Sequence, residues 1–196
     1  MAIAHRTPTR DSEAVRRAFD LATIVHRGQR RTDGDPYVAH PIEVSRLLSE
    51  IGADEATVAA ALLHDGVEDS ELTVDEVSRR FGDEVGAIVA ALTEDESIDD
   101  WKTRKDALRA QVEGAGSRAI SVYAADKLSN LRELRRVYAI RGESAIDLHK
   151  APTLDLRVEA WRDDLAMIAK AAPDLPLARD IDAELERLEL ERRRRA

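Results

Sequence analysis

The chain has 196 residues, no cysteine and a formal charge of −9. That length suits one domain with its own core, and the missing cysteine excludes thiolate catalysis, cysteine-based metal sites and disulfide frameworks, which fits a reducing, cytoplasmic setting. The acidic balance argues against nucleic acid as a partner, and no apolar run nears the roughly 20 residues that cross a bilayer, so neither nucleic acid nor membrane is expected.

Apolar spacing is helical nearly throughout. Val15, Ala18, Ala22 and Val25 mark a first stripe, Val44, Leu47, Leu48 and Ile51 a second, and Val58 to Leu63 are almost wholly apolar, which predicts a buried central helix. Thr73-Val-Asp-Glu76 reads as a capping box opening a helix that Gly82 closes, and Val85, Ile88, Val89 and Leu92 continue on another. Ile120 to Leu134 is a second buried segment. Trp161, Leu165 and Ile168, then Ile181, Leu185 and Leu188, give two C-terminal stripes. Breaks fall at Thr32 to Pro36, Glu94 to Asp100 and Gly142 to Thr153. No alternating strand pattern is long enough to count, so the expected fold is all-α, an orthogonal bundle of about eight to ten helices. The basic run Arg192 to Arg195 reads as the solvated end of a helix.

The chemistry concentrates on His64-Asp65 in AALLHDGVED, answered by Asp126 in YAADKLSN. An imidazole and a carboxylate at the end of an apolar helix are costly together unless a cation organises them. His40 precedes Pro41, which pushes it out of the α region, so its ring should project from the mouth of a helix beginning at Pro41. His40, His64, Asp65 and Asp126 would supply two nitrogens and two oxygens, a set suited to Mn²⁺, Fe²⁺ or Zn²⁺ with positions open to water. Glu68 and Asp69 place two further carboxylates beside the pair, and a dication would offset their repulsion. On spacing alone an exposed acidic helix end explains them equally well. Asn130 lies one turn beyond Asp126 on the same face.

VHRGQRRTDGDPYVAHPIEV, AALLHDGVEDS, FGDEV and ADKLSNLRELR, in that order from about residue 22 to 135, resemble the HD-domain hydrolase module of the RelA/SpoT family, in particular its stand-alone small alarmone hydrolases. The resemblance implies Mn²⁺ held by His40, His64, Asp65 and Asp126, with Glu68 and Asp69 positioning and activating a water. It implies nucleotide contacts from Arg31 and Asn130, with Thr32 and Tyr37 beside them. It further implies hydrolysis of ppGpp or pppGpp to GDP or GTP with release of pyrophosphate. Residues 1–196 would then be a single HD hydrolase domain, with its core at about 11–172 and a C-terminal helix at about 177–192, without space for a synthetase. A small nucleotide is the expected partner, and self-association stays open. Thr32, Ser129 and Glu133 stand where the long family members often carry lysine, histidine and threonine. Alternatives are hydrolysis of the adenosine analogues, NADPH or nucleotide phosphatase activity, or a nucleotide-binding module with weak catalysis. His26 is expected in a core or hydrogen-bonding role, Trp161 in the core, and His5, His149, Lys127 and Arg132 at the surface, with contact to substrate phosphate a second reading for Lys127 or Arg132.

Overall fold

The computed structural model describes residues 12–31, 34–148 and 151–195, so His5, Thr32 and His149 lie outside the described residues. Among these residues the backbone forms ten α-helices and one 3-10 helix, with no strand beyond an isolated antiparallel bridge between Arg30 and Pro36. The all-α expectation holds.

α1 (Glu13–Val25) buries Val15, Ala18 and Ala22 against α3 (Glu55–Leu63). Residues 57–63 of α3 are buried all round, which is why its sequence shows a continuous apolar run rather than a stripe. Ala59, Ala60 and Ala61 let neighbouring helices approach closely, while Leu62 and Leu63 each contribute roughly 1.5–3 kcal/mol by burial. Asp54 starts the helix by accepting a hydrogen bond from Thr57 N–H at 2.9 Å.

α2 (Ala39–Glu50), α6 (Asp83–Leu92) and α8 (Ser117–Arg141) pack around α3. α8 is 25 residues long and buried through most of its middle. α5 (Val74–Phe81) opens on the Thr73–Glu76 capping box and ends at Gly82, whose φ of 96° suits glycine. It crosses α6 so closely that a Cβ on Gly86 would lie 1.9 Å from Ser78 Oγ.

Two features depart from the sequence expectation. α7 (Trp101–Ala115) occupies a segment without a continuous apolar stripe, because only Trp101, Leu108 and Val112 are buried. Its one local signal is Asp100, whose carboxylate accepts from Thr103 N–H at 2.8 Å. The basic end of α10 (Pro176–Arg195) is partly docked rather than solvated. Arg192 reaches Asp155 at 2.7 Å, and the Arg195 guanidinium lies 5.5 Å from the Tyr138 ring centre, while Arg193 stays exposed.

α9 (Leu154–Ala171) follows the 3-10 helix Gly142–Leu148 and buries Trp161, as expected. Asp164 of α9 accepts from Tyr123 Oη of α8 at 2.8 Å and from Arg109 Nε of α7 at 3.0 Å. These bonds tie three helices together beside the cleft described next.

Candidate metal centre

His64 and Asp65 sit where the apolar helix stops. His64 donates from Nδ1 to the Ala61 carbonyl at 2.8 Å, a carbonyl that an uninterrupted helix would offer to Asp65 N–H. The chain bends there and resumes as α4 (Gly66–Asp69). Asp65 caps α4 and its carbonyl accepts from Asp69 N–H at 3.0 Å, so Asp65, Glu68 and Asp69 share one helical turn, as the spacing suggested, but that turn is separate from α3. α2 likewise begins at Ala39, two residues before Pro41, and carries His40 in its first turn. Pro41 is tolerated there because the first N–H groups of a helix have no partner within it.

From these positions four side chains converge. His40 Nε2 lies 3.0 Å from Asp126 Oδ1 and 3.5 Å from Asp65 Oδ2. His64 Nε2 lies 3.1 Å from Asp65 Oδ1 and 3.7 Å from Asp126 Oδ1. Donor atoms of His40, His64 and Asp65 all fall within 4.8 Å of one another. The other ring nitrogens are engaged outside the cluster, His64 Nδ1 with Ala61 and His40 Nδ1 with Ser129 Oγ at 3.0 Å. Outer bonds of this kind fix the tautomer and aim the Nε2 lone pairs inward. His64 Nε2 is nevertheless buried without a hydrogen-bond partner. A buried ring nitrogen left without a partner among two carboxylates and a second imidazole fits a borderline divalent cation, which would take the place of its proton.

The remaining predicted residues surround this cluster. Tyr37 donates to Asp65 Oδ2 at 2.9 Å, and burial, reinforced by the Asp65 charge, keeps its hydroxyl protonated. Asn130 donates to Asp126 Oδ1 at 2.6 Å and accepts from Arg31 at 2.9 Å, while Arg31 is ion-paired with buried Glu133. Glu68 accepts from Glu94 N–H at 2.6 Å, and burial pushes its carboxyl up to about 7 against that bond. Gln29 holds the backbone carbonyl of Asp69 at 2.7 Å.

Burial lowers the His40 pKa and would do the same at His64, but there the Asp65 and Asp126 carboxylates outweigh it and push the ring up to about 9. Burial also works against ionised Asp65 and Asp126. Their cationic neighbours prevail, chiefly His64 for Asp65 and Lys127 for Asp126, and both stay below the usual carboxylate range. Lys127 is buried rather than exposed, 2.8 Å from Asp126 Oδ2, and Arg132 is only partly exposed.

The cluster opens into a cleft of about 610 Å³. Arg104, Lys105 and Arg157 line the same cleft, together with Glu94 and Glu96. Arg104 and Lys105 both pair with Glu94. Arg157 is half-buried, its guanidinium 4.7 Å from the Trp161 ring centre, with a buried Nε that lacks a hydrogen-bond partner. Nothing in the sequence singled out these three. Their one local signal is the i, i+4 spacing of Arg157 and Trp161 on α9.

The HD-domain sequence pattern matches residues 18–148. A probable GTP pyrophosphokinase of Mycobacterium leprae is 37% identical over 131 residues, covering 65% of this chain and 17% of that protein. The GTP pyrophosphokinase rsh of Brucella melitensis is 32% identical over 173 residues, covering 83% of this chain and 23% of that protein. The chain thus spans about a fifth of these curated relatives. Among solved structures, a metazoan SpoT ortholog described as hydrolysing ppGpp superposes with a TM-score of 0.75 at 28% identity, covering 91% of this chain and 97% of that one. A Listeria monocytogenes EGD-e protein gives 0.68 at 28% identity, covering 79% and 98%.

Proposed function

This chain belongs to the HD-domain family, and from that premise we propose that it is a divalent-metal-dependent pyrophosphohydrolase that removes the 3′-pyrophosphate of ppGpp or pppGpp. The observation that carries the reading is the cleft: four converging N and O donors, with an unpartnered buried Nε2, in a lining that also holds Arg104, Lys105 and Arg157. A nucleotide bearing several phosphate groups matches a cleft that joins a cation-binding cluster to cationic side chains. The family likeness supplies the specific alarmone, since a metazoan relative of similar fold hydrolyses ppGpp.

His40, His64, Asp65 and Asp126 would hold the ion, with Mn²⁺ the proposed metal. When bound, it supplies Lewis acidity to the diphosphate and to water. Glu68 is the proposed proton acceptor, because burial sets its carboxyl near neutrality and it faces the same cleft. Asp69 shares that turn and helps place the water. The water oxygen bonds to the phosphorus attached at the ribose 3′ oxygen, that P–O bond breaks, one proton passes to Glu68, and another ends on the ribose oxygen. Arg31 and Asn130, already bonded together, offer one nucleotide contact, with Thr32 and Tyr37 as proposed neighbours. Arg157 and Lys105, which line the cleft, are the proposed phosphate contacts by charge-assisted bonds.

Incubation of the protein with Mn²⁺ and ppGpp tests this directly. Intact pyrophosphate and GDP are the expected products. Orthophosphate alone, or turnover of NADPH or the adenosine alarmones but not ppGpp, would redirect the assignment to another nucleotide phosphohydrolase. Tight ppGpp binding without turnover would make the chain a binding module.

A further inference from the structure

His26 ligates nothing in the cluster, yet it touches two of its supports. We propose that His26 is a positioning residue that orients Asp65 through Tyr37 and the Glu68–Asp69 turn through Gln29. The proposal rests on the hydrolase reading above.

The ring is buried at the C-terminal end of α1, and it stacks on Tyr37 with ring centres 4.7 Å apart and planes 23° apart. Tyr37 in turn donates to Asp65 Oδ2 at 2.9 Å, and its own N–H donates to the Gln29 carbonyl at 3.1 Å. Tyr37 can therefore neither slide nor rotate without disturbing the Asp65 carboxylate. This is the first arm.

The second arm runs through the Gln29 side chain. Nε2 of Gln29 donates to the Asp69 carbonyl at 2.7 Å, so Oε1 faces His26 Nδ1, also at 2.7 Å, and can only accept. His26 therefore carries its proton on Nδ1. The Asp69 carbonyl closes the one-turn helix α4 and has no partner within it, so Gln29 is what anchors that end of the turn. Glu68 and Asp69 are positioned accordingly.

His26 Nε2 is left buried without a hydrogen-bond partner. An apolar ring in the same space would avoid that cost. The imidazole supplies what such a ring lacks, a flat face for Tyr37 and a donor for Gln29 at once.

Two variants separate the arms. H26F keeps an aromatic face against Tyr37 and removes the donor, so Mn²⁺ affinity should stay within about twofold while kcat falls about tenfold at nearly constant KM. H26N keeps a donor and removes the face, so the Mn²⁺ dissociation constant, read by electron paramagnetic resonance, should rise about tenfold. Q29L should reproduce the kcat loss, and H26F/Q29L should lose no more than either single change, because both cut one chain. Q29L alone carries that arm if H26F does not fold. Folded variants with Mn²⁺ affinity and kcat within twofold of the parent would overturn the proposal, as would multiplying losses in the double variant. A parent protein that turns over no nucleotide would refute the hydrolase reading instead, and the Mn²⁺ affinity of H26N would still decide the Tyr37 arm.

Discussion

Lys127 Nζ lies 2.8 Å from Oδ2 of Asp126, which leaves Oδ1 of the same carboxylate to the two imidazoles at 3.0 and 3.7 Å. A buried lysine thus decides which oxygen faces the cluster. It also balances charge, since burial works against the ionised Asp126 carboxyl and Lys127 is the main influence holding it below the usual range.

Lys127→Met should therefore destabilise the metal-free protein by about 3–5 kcal/mol, the usual cost of stranding one partner of a buried pair. With excess Mn²⁺ the loss should shrink, because a dication restores the missing charge. Thermal denaturation with and without Mn²⁺ measures both numbers; equal losses would contradict this account.

The His64 ring predicts a pH signature. Burial disfavours its charge, but Asp65 and Asp126 prevail and hold its pKa at about 9, above the roughly 6.5 of an unfolded chain. In the metal-free protein that stabilisation is full below about pH 6.5 and is lost as pH rises through about 9. A ligating imidazole must be neutral, so Mn²⁺ binding at neutral pH should expel close to one proton. Calorimetry in buffers of different ionisation enthalpy counts it, and no release would mean that the ring is already neutral.

Asp126→Asn retains the shape but replaces one of two accepting oxygens with a donor and removes a charge that His40, His64 and Asn130 all face. Bound Mn²⁺ and turnover should both be lost. Metal analysis alongside the product assay checks this, and a loaded, active variant would remove Asp126 from the ligand set.

Glu68→Gln should leave Mn²⁺ content intact and lower kcat by about 10²–10⁴-fold, the range for a lost general base. In the parent, kcat should rise with pH along a limb at or below about 7, because burial raises the Glu68 pKa to about 7 and a nearby dication favours the carboxylate. That limb should disappear from the residual activity of the variant.

Arg157→Met removes a half-buried guanidinium from the cleft lining while leaving all four cluster side chains in place. KM for ppGpp should rise about tenfold or more with Mn²⁺ content unchanged, the scale of one charge-assisted hydrogen bond. Steady-state kinetics on ppGpp and on a nucleotide lacking the distal phosphates separates a phosphate contact from a general loss.

Where apolar residues recur at helical spacing, the folded chain agrees with its sequence. The α1, α2, α3 and α6 stripes are buried as their periodicity requires, and the capping box at Thr73 is formed. α7 escaped because three buried residues in fifteen leave little periodic signal. The break between His64 and α4 escaped for a different reason, since it follows from a side-chain bond to the Ala61 carbonyl rather than from any turn-forming residue. Arg104 and Lys105 carry no local mark, and Arg157 only its spacing from Trp161, because charged residues on helices are ordinarily solvated.

By itself the sequence determined the helical fold class and the residue types of the candidate site, two imidazoles and two carboxylates in a recognisable order. Periodicity and residue chemistry are local properties, and both survive in a linear string. Only the tertiary structure decided that α2, the end of α3 and the middle of α8 bring His40, His64, Asp65 and Asp126 within bonding distance of each other. It alone turned Lys127 inward and set Arg157 in the lining of the same cleft. Such placements depend on how whole helices pack around the small residues of α3, a collective fit of side-chain volumes that no short stretch of the chain encodes.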